Sequence, residues 1–85
     1  NQDNNAQVKI AKKALEDFVL DVEPVSNQVV VKTTTAAAQV IAESIDNLYI
    51  DNIVASIAGD NVVLIISNDE TKAKEVAKTI ENNIK

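Results

Sequence analysis

Carboxylate and amide side chains at two places in the sequence could bind a cationic ligand. Gln39, Glu43 and Asp46 recur at helical spacing, so they would fall on one face of a helix. Asp60 and Asn61 follow the only glycine of the chain, at what the pattern indicates is a hairpin tip. Carboxylates at both places would hold a cation through charge-assisted hydrogen bonds. On periodicity alone, however, the favoured interpretation of the helical stripe is the solvated face of an amphipathic helix.

Other kinds of chemistry find little support in the sequence. The chain has no histidine and no cysteine, which removes the commonest general base, the commonest metal ligand and every thiolate. Hydroxyl groups such as those of Ser44, Ser56 and the run 33–35 therefore have no histidine to activate them. The acidic residues lack calcium-loop spacing, and one glycine cannot build a phosphate-binding loop. We predict that the chain is not an enzyme and that it holds no metal or cofactor.

Composition and charge narrow the class of protein further. Eight lysines, no arginine and 13 acidic residues give the 85-residue chain a net charge of −5. This balance disfavours direct binding to phosphate backbones or to anionic membranes. No apolar run approaches the roughly 18 residues of a membrane span and no signal sequence precedes the domain, so we expect a cytoplasmic protein. Hydrophobic residues make up 46% of the chain, but almost none of them are aromatic. The class of protein that this composition favours is a globular binding or assembly module.

The N-terminal residues are interpreted as a connection to the domain rather than as part of it. Residues 1–5 are polar and resemble a disordered linker, and Val8, Ala11 and Leu15 have the spacing of a short helix. We therefore interpret residues 1–14 as an interdomain linker or the remnant of a linker helix, and residues 15–85 as one domain.

Periodicity predicts four strands and two helices in the order ββαββα. The predicted strands span residues 18–23, 28–34, 53–58 and 62–67. The first predicted helix spans residues 36–48. The second is a closing helix whose first turn contains Asp69 and Glu70, whose apolar positions run from Ala73 to Ile84, and whose end is at Lys85. Thr34 or Thr35 is expected to cap the first helix, and the spacing from Ser67 to Glu70 is that of a capping box for the second. The predicted fold class is α/β (α+β type): a two-layer sandwich in which two helices cover one face of a four-stranded sheet.

The second face of this sheet has a bearing on function. Predicted strands two to four are apolar on both sides, as in the consecutive Val29, Val30 and Val31, whereas a sheet with one wet face should alternate with polar residues. Two helices can cover one face only, and a large exposed apolar patch usually marks an interface. We predict that identical chains associate through it. The alternative is a twisted sheet whose edges are covered by loops.

The chain from about Leu15 onwards resembles the C-terminal domain of bacterial arginine repressors. The resemblance rests on the ββαββα order and on segments 30–33, 37–42, 45–46 and 57–60. It implies a domain that forms trimers, two of which stack into a hexamer with L-arginine bound between them. Bound arginine would strengthen hexamer assembly and operator binding. Operator DNA would be contacted by an N-terminal winged-helix domain, which these 85 residues do not include.

The same resemblance implies an arginine-binding set of five residues. Gln39 and Asp46 match the family's helix positions at the arginine pocket. Asp60 matches the first aspartate of a Gly-Asp-Asp motif that pairs with the cationic groups of the ligand, and Ala38 matches a small residue lining the site. Asn61 stands where the family has its second aspartate, so it can still form hydrogen bonds but adds no charge.

The sequence therefore predicts one function and leaves one alternative to it. The first is an oligomerisation and L-arginine-sensing domain of a transcriptional repressor of arginine metabolism, with ligand between subunits stabilising a hexamer. The alternative, suggested by Asn61, is an assembly-only domain of a paralogous regulator with weakened or absent arginine binding. The chain also departs from the family pattern at residues 33–36, where the usual Thr-x-Pro-Gly lacks its Pro and Gly, and at Ala55 and Ser56, which replace Gly-Thr.

Overall fold

A computed structural model describes residues 2–84 of the chain, and their side chains from residue 6 onwards. Seven elements follow one another: α1 (Gln2–Phe18), β1 (Val19–Val25), β2 (Gln28–Thr33), α2 (Ala38–Asn47), β3 (Ala55–Ala58), β4 (Val62–Ile66) and α3 (Glu70–Ile84). The strands form one antiparallel sheet in the order β1-β2-β4-β3. The predicted α+β sandwich and the ββαββα order are thus confirmed, with a further helix, α1, in front of them.

The core lies between the sheet and the helices. Alternate residues of the two central strands are fully buried and form the inner face of the sheet: Val29, Val31, Val63 and Ile65. The apolar stripes of α2 and α3 pack on this face through Ile41, Ile45, Val76 and Ile80, and Leu15 of α1 joins the same cluster. A period of two on the strands and of 3.6 on the helices brings these aliphatic side chains into one cluster.

The N-terminal helix is longer than predicted. Periodicity had indicated a short helix or a frayed linker, but α1 has 17 residues and buries both Ala11 and Leu15. It lies mainly against α2 and α3, which bury its narrow apolar stripe. The domain boundary proposed after residue 14 falls inside this helix. Asn1 lies outside the described residues.

The first strand also differs from its prediction. Phe18 is the last residue of α1, and β1 begins at Val19. A bulge between Val19 and Asp21 interrupts the pairing with β2, so that Leu20 is an extra residue. Leu20 is consequently 68% exposed while Val22 is buried, and the simple alternation predicted for these two residues is wrong.

Neither predicted helix cap forms. No side chain caps α2: the N–H of Ala37 donates to the carbonyl oxygen of Thr34 at 3.1 Å, and Thr35 makes no capping bond. For α3 the cap is Asp69, whose Oδ1 accepts from the N–H of Lys72 at 2.8 Å. The predicted capping box is wrong because Ser67 is buried two residues before the actual cap.

The outer face of the sheet carries an apolar strip. Val30, Leu64 and Ile57 are direct cross-strand neighbours on β2, β4 and β3, and Ile66 lies in the next row. None of these four side chains belongs to the core cluster, and Ile57 is 60% exposed. Within residues 2–84, therefore, the helices lie on the inner face and the apolar strip of the outer face is left without a covering layer. No helix in the described part of the chain has the length and apolarity needed to cross a membrane.

Candidate functional site

An open groove of about 370 Å³ runs between α2 and the edge strand β3. One wall is the polar stripe of α2, where Gln39, Glu43 and Asp46 are all exposed. The other wall is formed by Ser56 and Ala58 of β3. Val40 and Ala42 complete the lining. We call this set of seven residues the acidic groove.

The groove exists because small residues occupy the inner face of β3. Ser56 and Ala58 pair with the buried Ile65 and Val63 and therefore point to the helix side of the sheet. Their short side chains do not fill the space that valine or isoleucine fills on the central strands, so both remain partly exposed. From the sequence alone, Ser56 stands out only as a hydroxyl without an activating histidine and as a departure from the family pattern. Small residues at alternate positions of a strand beside an amphipathic helix were the signal that could have indicated a groove.

The electrostatics of the groove are one-sided. Glu43 and Asp46 are its only charged lining residues, and both are carboxylates. The ion pairs found in the described part of the chain are Lys13–Asp17 and Lys74–Glu70, which lie within α1 and α3. The two groove carboxylates therefore have no cationic partner there. A cation with several hydrogen-bond donors is the ligand that such a groove suits chemically.

The turn between β3 and β4 is fastened to the beginning of α2. The N–H of Ala38 donates to the carbonyl oxygen of Asp60 at 3.2 Å, and the N–H of Thr33 donates to that of Asn61 at 2.9 Å. These bonds use backbone atoms only, and the side chains of Asp60 and Asn61 are exposed. Ala38 itself is 0% exposed and belongs to the core, where it fixes the turn through its backbone.

The five residues predicted to bind a ligand thus fall into two groups. Asp60 contacts Ala38 at the N-terminal end of α2, next to Gln39, and Asn61 follows Asp60 in the same turn. Asp46 lies seven residues after Gln39, about 10 Å further along the helix axis at 1.5 Å per residue. Gln39 and Asp46 line the acidic groove, whereas Asp60 and Asn61 are not among its lining residues. Within the described part of the chain, no three acidic side chains converge on one point.

Comparison with known proteins identifies a family over most of the chain. Residues 15–82 match the family described as "Arginine repressor, C-terminal domain". The chain is 42% identical over 75 residues to an arginine repressor of Clostridium novyi, covering 85% of this chain and 50% of that protein. It is 44% identical over 66 residues to an arginine repressor of Clostridium acetobutylicum, covering 78% of this chain and 44% of that protein. The chain therefore spans about half the length of the curated relatives that it matches.

Proposed function

The chain belongs to the arginine repressor family, whose C-terminal domain it carries, and on this premise we propose that it is the oligomerisation and L-arginine-sensing domain of a transcriptional repressor of arginine metabolism. The family is one of repressors, which confirms the prediction that the chain is not an enzyme. The observation that carries the proposal is that the family match includes the whole acidic groove and the turn fastened to it.

Assembly of identical chains is supported by the outer face of the sheet. The strip of Val30, Ile57, Leu64 and Ile66 is aliphatic and lacks a covering layer in the single chain. Covering the strip with another copy would remove apolar surface from water, which stabilises the assembly by roughly 25 cal/mol per Å² of apolar surface buried. A single chain of 85 residues buries only a modest fraction of its surface when it folds. The free energy gained by burying the strip between copies would therefore be large relative to the folding stability of one chain. The proposed assembly is a trimer, two of which stack into a hexamer.

Arginine sensing is supported by the chemistry of the candidate residues. L-arginine presents a guanidinium and an ammonium group, both of which donate charge-assisted hydrogen bonds to carboxylates. Asp60 and Asp46 lie near opposite ends of α2, so one ligand between two copies would contact the carboxylates of different subunits more readily than both of one subunit. We propose Ala38, Gln39, Asp46, Asp60 and Asn61 as the arginine-binding set, in which Ala38 acts by holding the backbone of Asp60.

Ligand binding and assembly would be coupled by mass action. A ligand whose contacts come from two subunits binds only the assembled state, and it stabilises that state in proportion to ln(1 + [L]/Kd). Operator DNA would be bound by a separate N-terminal domain of the full-length repressor, in the cytoplasm where bacterial DNA lies. L-arginine would then control repression by controlling how many DNA-binding domains are held together.

The second candidate function is an assembly-only domain with weakened or absent arginine binding. It is favoured by one specific residue, Asn61, which adds no negative charge next to Asp60. Calorimetric titration of the protein with L-arginine separates the two functions. Saturable heat with L-arginine and none with its neutral isostere L-citrulline would support the sensing function. No heat at millimolar L-arginine would support the assembly-only function.

A further inference from the structure

Glu43 is a lining residue of the acidic groove that the arginine-binding set leaves out. It lies one turn after Gln39 and one turn before Asp46 on the same stripe of α2, so its side chain is between the two proposed ligand-binding side chains. It is exposed and faces the small residues Ser56 and Ala58 across the groove. No group on that opposite wall is charged.

The position of Glu43 brings no evident benefit to the helix that carries it. α2 contains no lysine or arginine, so neither Glu43 nor Asp46 has an intrahelical ion pair. The acidic residues Asp17 and Glu70, by contrast, pair with lysines four residues away on α1 and α3. Glu43 and Asp46 are instead like charges three residues apart, which destabilises a helix by a few tenths of a kcal/mol. Asp46 is also in the last turn of α2, where the helix dipole disfavours a negative charge.

We propose that Glu43 is a specificity-determining residue of the effector site. With Asp46 it gives the acidic groove two uncompensated carboxylates. Glu43 thereby adds, within the groove, one negative charge beyond the arginine-binding set, in which Asn61 is neutral. The groove thereby selects a ligand with a cationic side chain over a neutral ligand of the same shape. This inference rests on the proposed arginine-sensing function and names the residue that makes this particular chain selective.

The test compares L-arginine with L-citrulline, which has nearly the same shape but no side-chain charge. Dissociation constants for both ligands are measured by calorimetry on the wild type, Glu43→Gln, Glu43→Asp and the control Glu16→Gln. Glu16 is an exposed acidic residue of α1, which contributes nothing to the groove. Glu43→Gln keeps the size and hydrogen-bonding capacity of the side chain and removes only its charge.

We expect Glu43→Gln to weaken L-arginine binding by about tenfold while citrulline binding changes less than about twofold, so that selectivity falls by about tenfold. Glu43→Asp should retain most of the selectivity, and Glu16→Gln should match the wild type. A merely structural role would change both ligands equally and leave the ratio unchanged. An unchanged ratio in Glu43→Gln overturns the inference and leaves arginine sensing intact. Failure of the wild type to bind L-arginine overturns both.

Discussion

The backbone N–H of Ala38, the first residue of α2, donates a hydrogen bond to the carbonyl oxygen of Asp60 in the turn between β3 and β4. This bond joins two segments 22 residues apart and satisfies one of the N–H groups that a helix leaves without a partner at its start. It takes the place of a side-chain cap, which α2 lacks. The bond uses the main chain of Asp60, so it does not engage the carboxylate of that residue, which is exposed.

The first prediction concerns that carboxylate. Asp60→Asn preserves the backbone bond to Ala38 and removes one negative charge from an exposed side chain. We expect the free energy of unfolding to change by less than about 0.5 kcal/mol, as for most exposed substitutions. Arginine-dependent assembly, measured by light scattering, should be lost. Asp51→Asn, an equivalent change in an exposed loop, serves as the control and should retain it. Retention of the arginine response in Asp60→Asn would remove this residue from the site.

The second prediction concerns the outer face of the sheet. Ile57→Asp places a charge in the middle of the apolar strip at a side chain already 60% exposed in the single chain. The fold should survive, with a native circular dichroism spectrum, but burial of an unpaired carboxylate between copies should abolish association. Sedimentation velocity measures the outcome. Ile10→Asp, at a comparably exposed residue on α1, should leave association unchanged, and association that persists in Ile57→Asp would place the interface elsewhere.

The third prediction concerns a buried hydroxyl group. Ser67 is 2% exposed, and its Oγ forms no hydrogen bond with any described protein group. Both backbone polar groups of Ser67 are hydrogen-bonded to Asn27. The N–H of Ser67 donates to the carbonyl oxygen of Asn27 at 2.8 Å, and the carbonyl oxygen of Ser67 accepts from Nδ2 of Asn27 at 3.1 Å. Ser67→Ala removes only the unpaired group, and should raise the free energy of unfolding by about 1 kcal/mol in urea denaturation. A loss of stability would show that the hydroxyl has a partner.

The fourth prediction concerns the start of α3. Asp69→Ala removes the side chain that accepts the N–H of Lys72, and it should lower the free energy of unfolding by about 1 kcal/mol. Glu70→Ala is the comparison, because the capping box expected from the sequence would make Glu70 important. The ion pair that Glu70 makes with a described residue is an exposed contact with Lys74, so Glu70→Ala should change the free energy of unfolding by close to zero. A larger loss from Glu70→Ala than from Asp69→Ala would reverse this conclusion.

The sequence sufficed for the parts of the fold that depend on periodicity. The buried stripes of α2 and α3 and the double apolar character of β2 and β4 appear where the spacing of aliphatic residues indicated. Local capping was not predictable in the same way. Ala38 is held by a turn 22 residues later in the chain, and no local pattern contains that information. The bulge at Leu20 likewise depends on pairing with β2.

The candidate site was predictable in part for the same reason. Helical spacing placed Gln39, Glu43 and Asp46 on one stripe, and the resemblance to a family singled out two of them. The second wall of the groove was missed because Ser56 and Ala58 matter by their small size at the inner face of an edge strand. Which strand lies at the edge follows from the sheet order β1-β2-β4-β3, and periodicity does not determine that order.

The most direct test of an arginine-sensing assembly domain is its molar mass in solution with and without L-arginine, measured by multi-angle light scattering at one protein concentration. We expect a multiple of the 9.2 kDa chain in both conditions, with a shift to the larger assembly on addition of L-arginine and no shift with L-citrulline. A single 9.2 kDa particle in both conditions would contradict the proposed function.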